Sequence, residues 1–228
     1  MAGTVSISSV ERNSSLHLMW VAVAATVGYA ITAALVSRVS TRMLPWVLGR
    51  GFGVGAYLAL TALTVVGLWL RHPWRVNHPR PSAASAHRAH SLLATMVLLL
   101  VAGHVIALSV DRFAGVGWSG AFVPGRSGYR PLAVALGTIS LYVGLAVGFT
   151  AALAGWVGGR TWYAVHRLAL VAFALVWVHG VLAGSDERVL LPIYLVSGLA
   201  VAVLACTRRA AVLPESMVTR SDYSGGRR

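Results

Sequence analysis

The sequence has no lysine, one cysteine and only six acidic residues in 228. A lone cysteine, Cys206, excludes an intrachain disulfide. Charged residues make up 11%, where a soluble domain carries roughly a quarter, and a solvated surface cannot be built from so few. The hydrophobic fraction of 57% and a mean hydropathy of +0.73 point to lipid as the solvent. The net charge of +13 rests entirely on arginine. Those arginines sit in short loops between apolar runs, which suits membrane topology and anionic headgroups and argues against a nucleic-acid-binding face.

Six apolar runs of spanning length follow one another, at about 16–36, 46–70, 90–110, 132–156, 162–183 and 189–206. At 1.5 Å per residue, about twenty residues cross the roughly 30 Å hydrocarbon core. Residues 1–15 form a polar arm, too weakly basic and followed by too long a run to read as a signal peptide. Residues 207–228 read as a disordered tail, too short for a nucleotide-binding domain. Pro45, Pro131 and Pro192 are expected at or just before helix starts, where a missing N–H does no harm. No GxGxxG follows a strand-like run. The glycines of GRGFGVG (residues 49–55) open the second run and imply close approach of a helix or a cofactor. With six spans, eleven loop and tail arginines fall on the side of both termini and seven on the other. This arrangement puts the termini in the cytoplasm, with the chain in the cell (inner) membrane.

Ionisable side chains are nearly absent from the runs, so the exceptions are functional candidates. His90 and His104 lie fourteen residues apart in the third run; His166 and His179 lie thirteen apart in the fifth. The two runs point the same way, so the histidines match by depth, His90 with His166 and His104 with His179. A single buried imidazole serves equally as a structural hydrogen-bonding group, a proton relay or a metal ligand. Two matched pairs suit bis-histidine haem, one iron held between neutral imidazoles at each level. Zinc or copper is disfavoured because only two histidines meet at each level, with no carboxylate or thiolate to complete the site. No CxxCH is present for covalent haem attachment, and Ala94, Ala102, Gly103, Ala169 and Ala172 offer room for macrocycles. One difficulty stands. Fourteen residues fall about 40° short of whole turns, but thirteen fall about 140° short, so an ideal fifth helix would splay its histidines.

With H-x13-H and H-x12-H in the third and fifth runs, WYAVHRLAL, LGRGFG and SGYRPLAVALGTISLYVGL, the chain resembles the ferric reductase-like transmembrane domain over about residues 46–205. The resemblance implies an all-α integral membrane six-helix bundle, with two haem b between the third and fifth helices. Electrons would pass from the cytoplasmic side to an acceptor outside. Oxidases and eukaryotic metalloreductases of that family continue into a flavin and NADPH domain, and this sequence stops. Its donor would then be a cytoplasmic flavoprotein, a bound flavin such as FMN, or a quinol. Arg50, near the outer end of the second run, would pair a haem propionate or attract an anionic acceptor; snorkelling to the headgroups explains it equally. Arg88 and Arg167 would neutralise inner-haem propionates, or simply serve the arginine bias. His87 breaks the spacing match, and His72 and His78 read as solvated loop residues. Trp118, Phe122, Pro124 and Tyr129 would roof the outer haem or form an interfacial aromatic belt. The expectation is a membrane cytochrome b, an oxidoreductase subunit in lipid whose iron has no open position and which passes single electrons. The alternatives are a haem-free transporter or assembly subunit with histidine proton relays, and a quinone-linked subunit of a partner reductase.

Overall fold

The computed structural model describes residues 42–76, 82–184 and 187–224, with side chains excepted at 187 and beyond 208. The expected first span, 16–36, lies outside the described residues, as does His78. The chain divides into two units, Met1–Leu44 and Pro45–Arg228, and every contact below lies within the second.

Every regular element among the described residues is helical: α1 (Leu44–Leu70), a 3-10 turn (Pro73–Val76), α2 (Ala83–Val110), α3 (Gly117–Phe122), α4 (Pro131–Ala152), α5 (Gly159–His166), α6 (Ala169–Ala183) and α7 (Glu187–Ser224). Five segments are long and apolar enough to cross a membrane: α1, α2, α4, the α5–α6 pair and Arg188–Arg208 within α7. Large apolar side chains point outward. Leu92, Leu99, Phe149, Val196 and Leu199 are each at least 67% exposed, while the buried positions include Ala56, Ala86, Ala107, Ala133, Thr138, Ser140 and Ser197. Small residues inside and large ones outside is the distribution that lipid contact and close helix packing require.

Local chemistry sets the helix ends. Ser82 caps α2, its hydroxyl accepting the Ser85 N–H at 3.2 Å. Asp111 ends α2, its carboxylate accepting the N–H groups of Phe113 and Ala114. Pro131 opens α4 as expected, but Pro192 lies inside α7, because that helix starts at Glu187. The residue before α4, Arg130, takes a left-handed φ of 36°. Its guanidinium donates to the carbonyls of Leu182 and Gly184, and the Tyr129 hydroxyl donates to Ala183 at 2.9 Å, so these two side chains cap the end of α6. The backbone of α7 stays helical past Thr207, where a disordered tail was expected; alanine, arginine and leucine between 208 and 213 are good helix formers.

The helices are knitted by close approaches. Ser140 donates to the Ala172 carbonyl between α4 and α6, and Trp177 Nε1 donates to the Tyr194 carbonyl between α6 and α7. Leu68, Phe173 and Val201 form a buried cluster. Beside it Tyr57 stacks on Phe173, meets Tyr194 edge-on and shares a hydrogen bond with Ser197. Pairs along α1 and α2 keep one antiparallel register, with Gly49 against Leu108, Gly53 against His104 and Gly67 against His90.

The fifth apolar run is one span but not one helix. After His166 the Leu168 N–H donates to Val165 at 2.9 Å and the Leu170 N–H to Arg167 at 3.4 Å, so the bonding there is i to i−3. A 3-10 step turns about 120° and rises about 2.0 Å, against about 100° and 1.5 Å in an α-helix. Two such steps recover about 40° of the shortfall and add about 1 Å between His166 and His179. Overwinding at Arg167–Leu168 is thus part of the answer to the thirteen-residue spacing.

Candidate functional site

The matched histidines meet in pairs at two levels. The ring centres of His90 on α2 and His166 on α5 are 6.2 Å apart, with planes inclined at 60°. Those of His104 on α2 and His179 on α6 are 6.4 Å apart at 79°. Among the described residues, no third histidine, cysteine or acid joins either pair.

The pair at the α2 C-terminal end is held from behind. His104 Nδ1 lies 2.6 Å from the Gly49 carbonyl of α1, and His179 Nδ1 lies 2.7 Å from the Ala133 carbonyl of α4. A carbonyl only accepts, so both Nδ1 atoms carry the proton and both Nε2 atoms keep their lone pair. The two nitrogens lie on opposite flanks of an imidazole. With Nδ1 bonded to α1 and α4, Nε2 is the nitrogen of each ring that keeps a lone pair for a ligand. Among the described residues neither Nε2 has a hydrogen-bond partner.

The other pair is less tied down. The His90 ring lies by the Leu63 carbonyl of α1, but its Nδ1 makes no hydrogen bond, and His166 Nδ1 is likewise buried without a partner among the described residues. Trp162 stacks on His166 at 5.0 Å, and the Arg71 guanidinium lies over the rings of Trp162 and Tyr163. Trp162 Nε1 and Arg75 Nε are also buried donors with no acceptor among the described residues.

The remaining expected residues divide. Arg50 lies over the Trp46 ring at 5.4 Å, and Arg167 over Tyr163 at 5.9 Å. Arg88 and His87 are both exposed. Gly103 is covered by the Phe52 ring, and Ala102 is exposed, so neither opens space between the histidines. Around the α2–α3 connection Trp118 stacks on Phe122, and Tyr129 packs edge-on against Trp46.

Sequence reasoning missed two features. His72, expected in solvent, is only 3% exposed. Its Nδ1 accepts the Trp74 N–H, so its Nε2 carries the proton and donates to Thr207 Oγ1 at 3.0 Å. Thr207 in turn donates to the Val203 carbonyl. Thr207 is 135 positions away, and nothing local signals the bond. The second is the glycine seats. Gly53 and Gly67 are spaced fourteen apart, like His104 and His90, a signal present in the sequence but meaningless before the register is known.

The fold and the paired imidazoles define a multi-pass helical membrane protein with two facing histidine pairs. No known family, curated protein or solved structure matches the chain.

Proposed function

We propose that this protein is a transmembrane b-type cytochrome, moving electrons between the two faces of the membrane through two bis-histidine haems. The observation that carries the reading is the ring separation. Taking a metal–imidazole bond as about 2.0–2.1 Å, and ring nitrogen to ring centre as about 1.1 Å, two rings on opposite sides of one ion have centres about 6.3 Å apart. The two pairs stand at 6.2 and 6.4 Å. Two imidazoles in direct contact, or joined by one hydrogen bond, have no reason to keep that distance at both levels.

The donor set fits haem better than a bare ion, because a porphyrin fills the four equatorial positions that the protein leaves empty. Haem would supply reversible one-electron chemistry at iron; the rest is done by the chain. His90, His104, His166 and His179 would hold it. The carbonyls behind His104 and His179 fix the tautomer and strengthen the nitrogen as a ligand. Trp162 Nε1, on the ring stacked against His166, is a donor in want of an acceptor, and a carboxylate such as a propionate would meet that need. Likeness to the ferric reductase-like domain supports the same reading, with Arg50 toward the outer level and the arginine bias placing both termini in the cytoplasm. A flavoprotein, bound flavin or quinol would donate; the acceptor would lie outside. A proton relay is less well supported, since the Nδ1 protons at the His104–His179 level are spent on helix carbonyls.

The test is the absorbance spectrum and pyridine haemochrome of protein purified in detergent. Two haem b per chain are expected, with sharp bands on dithionite reduction. Replacing His104 or His179 with alanine should remove one haem, and replacing His90 or His166 the other. A haem-free protein, or variants that keep both haems, would reject the assignment.

A further inference from the structure

Two of the four histidines meet the same arrangement on the neighbouring helix, and a third meets part of it. His104 bonds the Gly49 carbonyl, and a Cβ on Gly53 would lie 2.8 Å from its ring. His179 bonds the Ala133 carbonyl, and a Cβ on Gly137 would lie 2.8 Å from its ring. His90 faces the Leu63 carbonyl, and a Cβ on Gly67 would lie 3.0 Å from its ring. In each case the glycine stands four residues after the carbonyl.

Helix geometry explains why that offset recurs. The carbonyl of residue i already accepts the N–H of residue i+4, and its second lone pair faces sideways out of the helix. The Cα–Cβ bond of residue i+4 leans toward the helix N-terminus, over that carbonyl. Any side chain at i+4 bars a ring from the lone pair. Glycine opens it. At Gly53 and Gly137 the clash would be with ring atoms held by hydrogen bonds, so the ring could not yield without losing its anchor.

We propose that Gly53, Gly137 and Gly67 are positioning residues for the histidines: Gly53 and Gly137 each open a helix carbonyl to an imidazole Nδ1, which leaves Nε2 as the ligand nitrogen, and Gly67 makes the same room beside His90. The proposal rests on the haem reading for its purpose but not for its geometry. Register suggests why His166 lacks a seat. Continuing the Gly137–His179 antiparallel alignment brings Thr150 opposite His166, and the Thr150 hydroxyl bonds the Ala146 carbonyl itself at 2.9 Å.

The test uses Gly53→Ala, Gly137→Ala and Gly67→Ala in the full chain, with Gly51→Ala and Gly144→Ala as controls because open space surrounds both. Two readouts are needed. The first is independent of haem: nitrogen-15 solid-state NMR of histidine-labelled protein stripped of any haem. Gly53→Ala should remove the hydrogen-bonded Nδ1–H signal of His104, and Gly137→Ala that of His179, with the controls unchanged. The second is haem content and affinity. Gly53→Ala and Gly137→Ala should each weaken only the His104–His179 haem, by about 10–100-fold, taking the purified protein from two haems toward one. Gly67→Ala should affect only the His90–His166 haem. Unchanged tautomer signals overturn the proposal, as does equal loss of both haems in the seat variants and the controls alike. Wild-type protein without haem but with the predicted signals would reject the cytochrome and leave the seats standing. Should Gly53→Ala fail to accumulate, Gly137→Ala tests the same level from the opposite helix.

Discussion

An imidazole inside a membrane has two nitrogens to satisfy, and the chain treats its buried histidines in different ways. His104 and His179 give one nitrogen to a carbonyl and keep a lone pair on the other for a ligand. His72 has both nitrogens used within the protein, one accepting from Trp74 and one donating to Thr207. It also lies parallel to Trp69 at 6.1 Å, so it is a structural pin between the end of α1 and α7. His72→Phe keeps the stacking surface but removes both bonds and takes that acceptor from the Trp74 N–H. Unfolding in detergent should show a loss of about 1–3 kcal/mol, with haem content unchanged. An unaltered unfolding midpoint would return His72 to the solvent. The sequence exposed the four ligand candidates because charge is scarce in the runs and any polar residue stands out. It hid His72 because a loop histidine beside Pro73 looks ordinary until the chain folds back to Thr207.

At the scale of elements, the fifth run carries the most information. Its periodicity announces one helix, and its histidine spacing announces that one ideal helix cannot serve. The structure keeps the span and overwinds it at Arg167–Leu168, directly after His166. The problem was legible; its location was not, since nothing in RLAL marks a helix break. A second element-scale device lies at the α4 start. Tyr129 and Arg130 tie it to the carbonyls at the end of α6, three to five residues beyond His179. Arg130 accepts a left-handed backbone to reach them. Arg130→Ala keeps the strained φ and loses the cap; Arg130→Gly loses the cap but relieves the strain. The glycine variant should therefore be the more stable of the two by about 1–2 kcal/mol in thermal unfolding. Equal stability would mean that the cap, and not the backbone, sets the cost.

The whole molecule places two histidine levels about 20 Å apart along the helix axes, a large part of the hydrocarbon thickness. On the proposed reading, this predicts transmembrane electron transfer in sealed vesicles. Proteoliposomes loaded with ferricyanide should bleach when dithionite is added outside, and vesicles containing His104→Ala should not. Bleaching at equal rates in both would show that the protein does not carry the electrons. Between the levels lie Tyr57 and Phe173, with hydroxyls that lead nowhere: Thr61 and Thr64 each donate to the carbonyl four residues back, and Ser197 to Ile193 and Tyr194. No run of polar groups joins one level to the other among the described residues. Such a layer is a dielectric. An electron that crosses it unaccompanied by a proton charges the bilayer as it would a capacitor, and each 100 mV that accumulates adds about 2.3 kcal/mol to the cost of the next electron. On the proposed reading, the belt around Tyr57 would thus couple turnover to membrane voltage, so that whatever discharges the membrane elsewhere in the cell also sets the pace here.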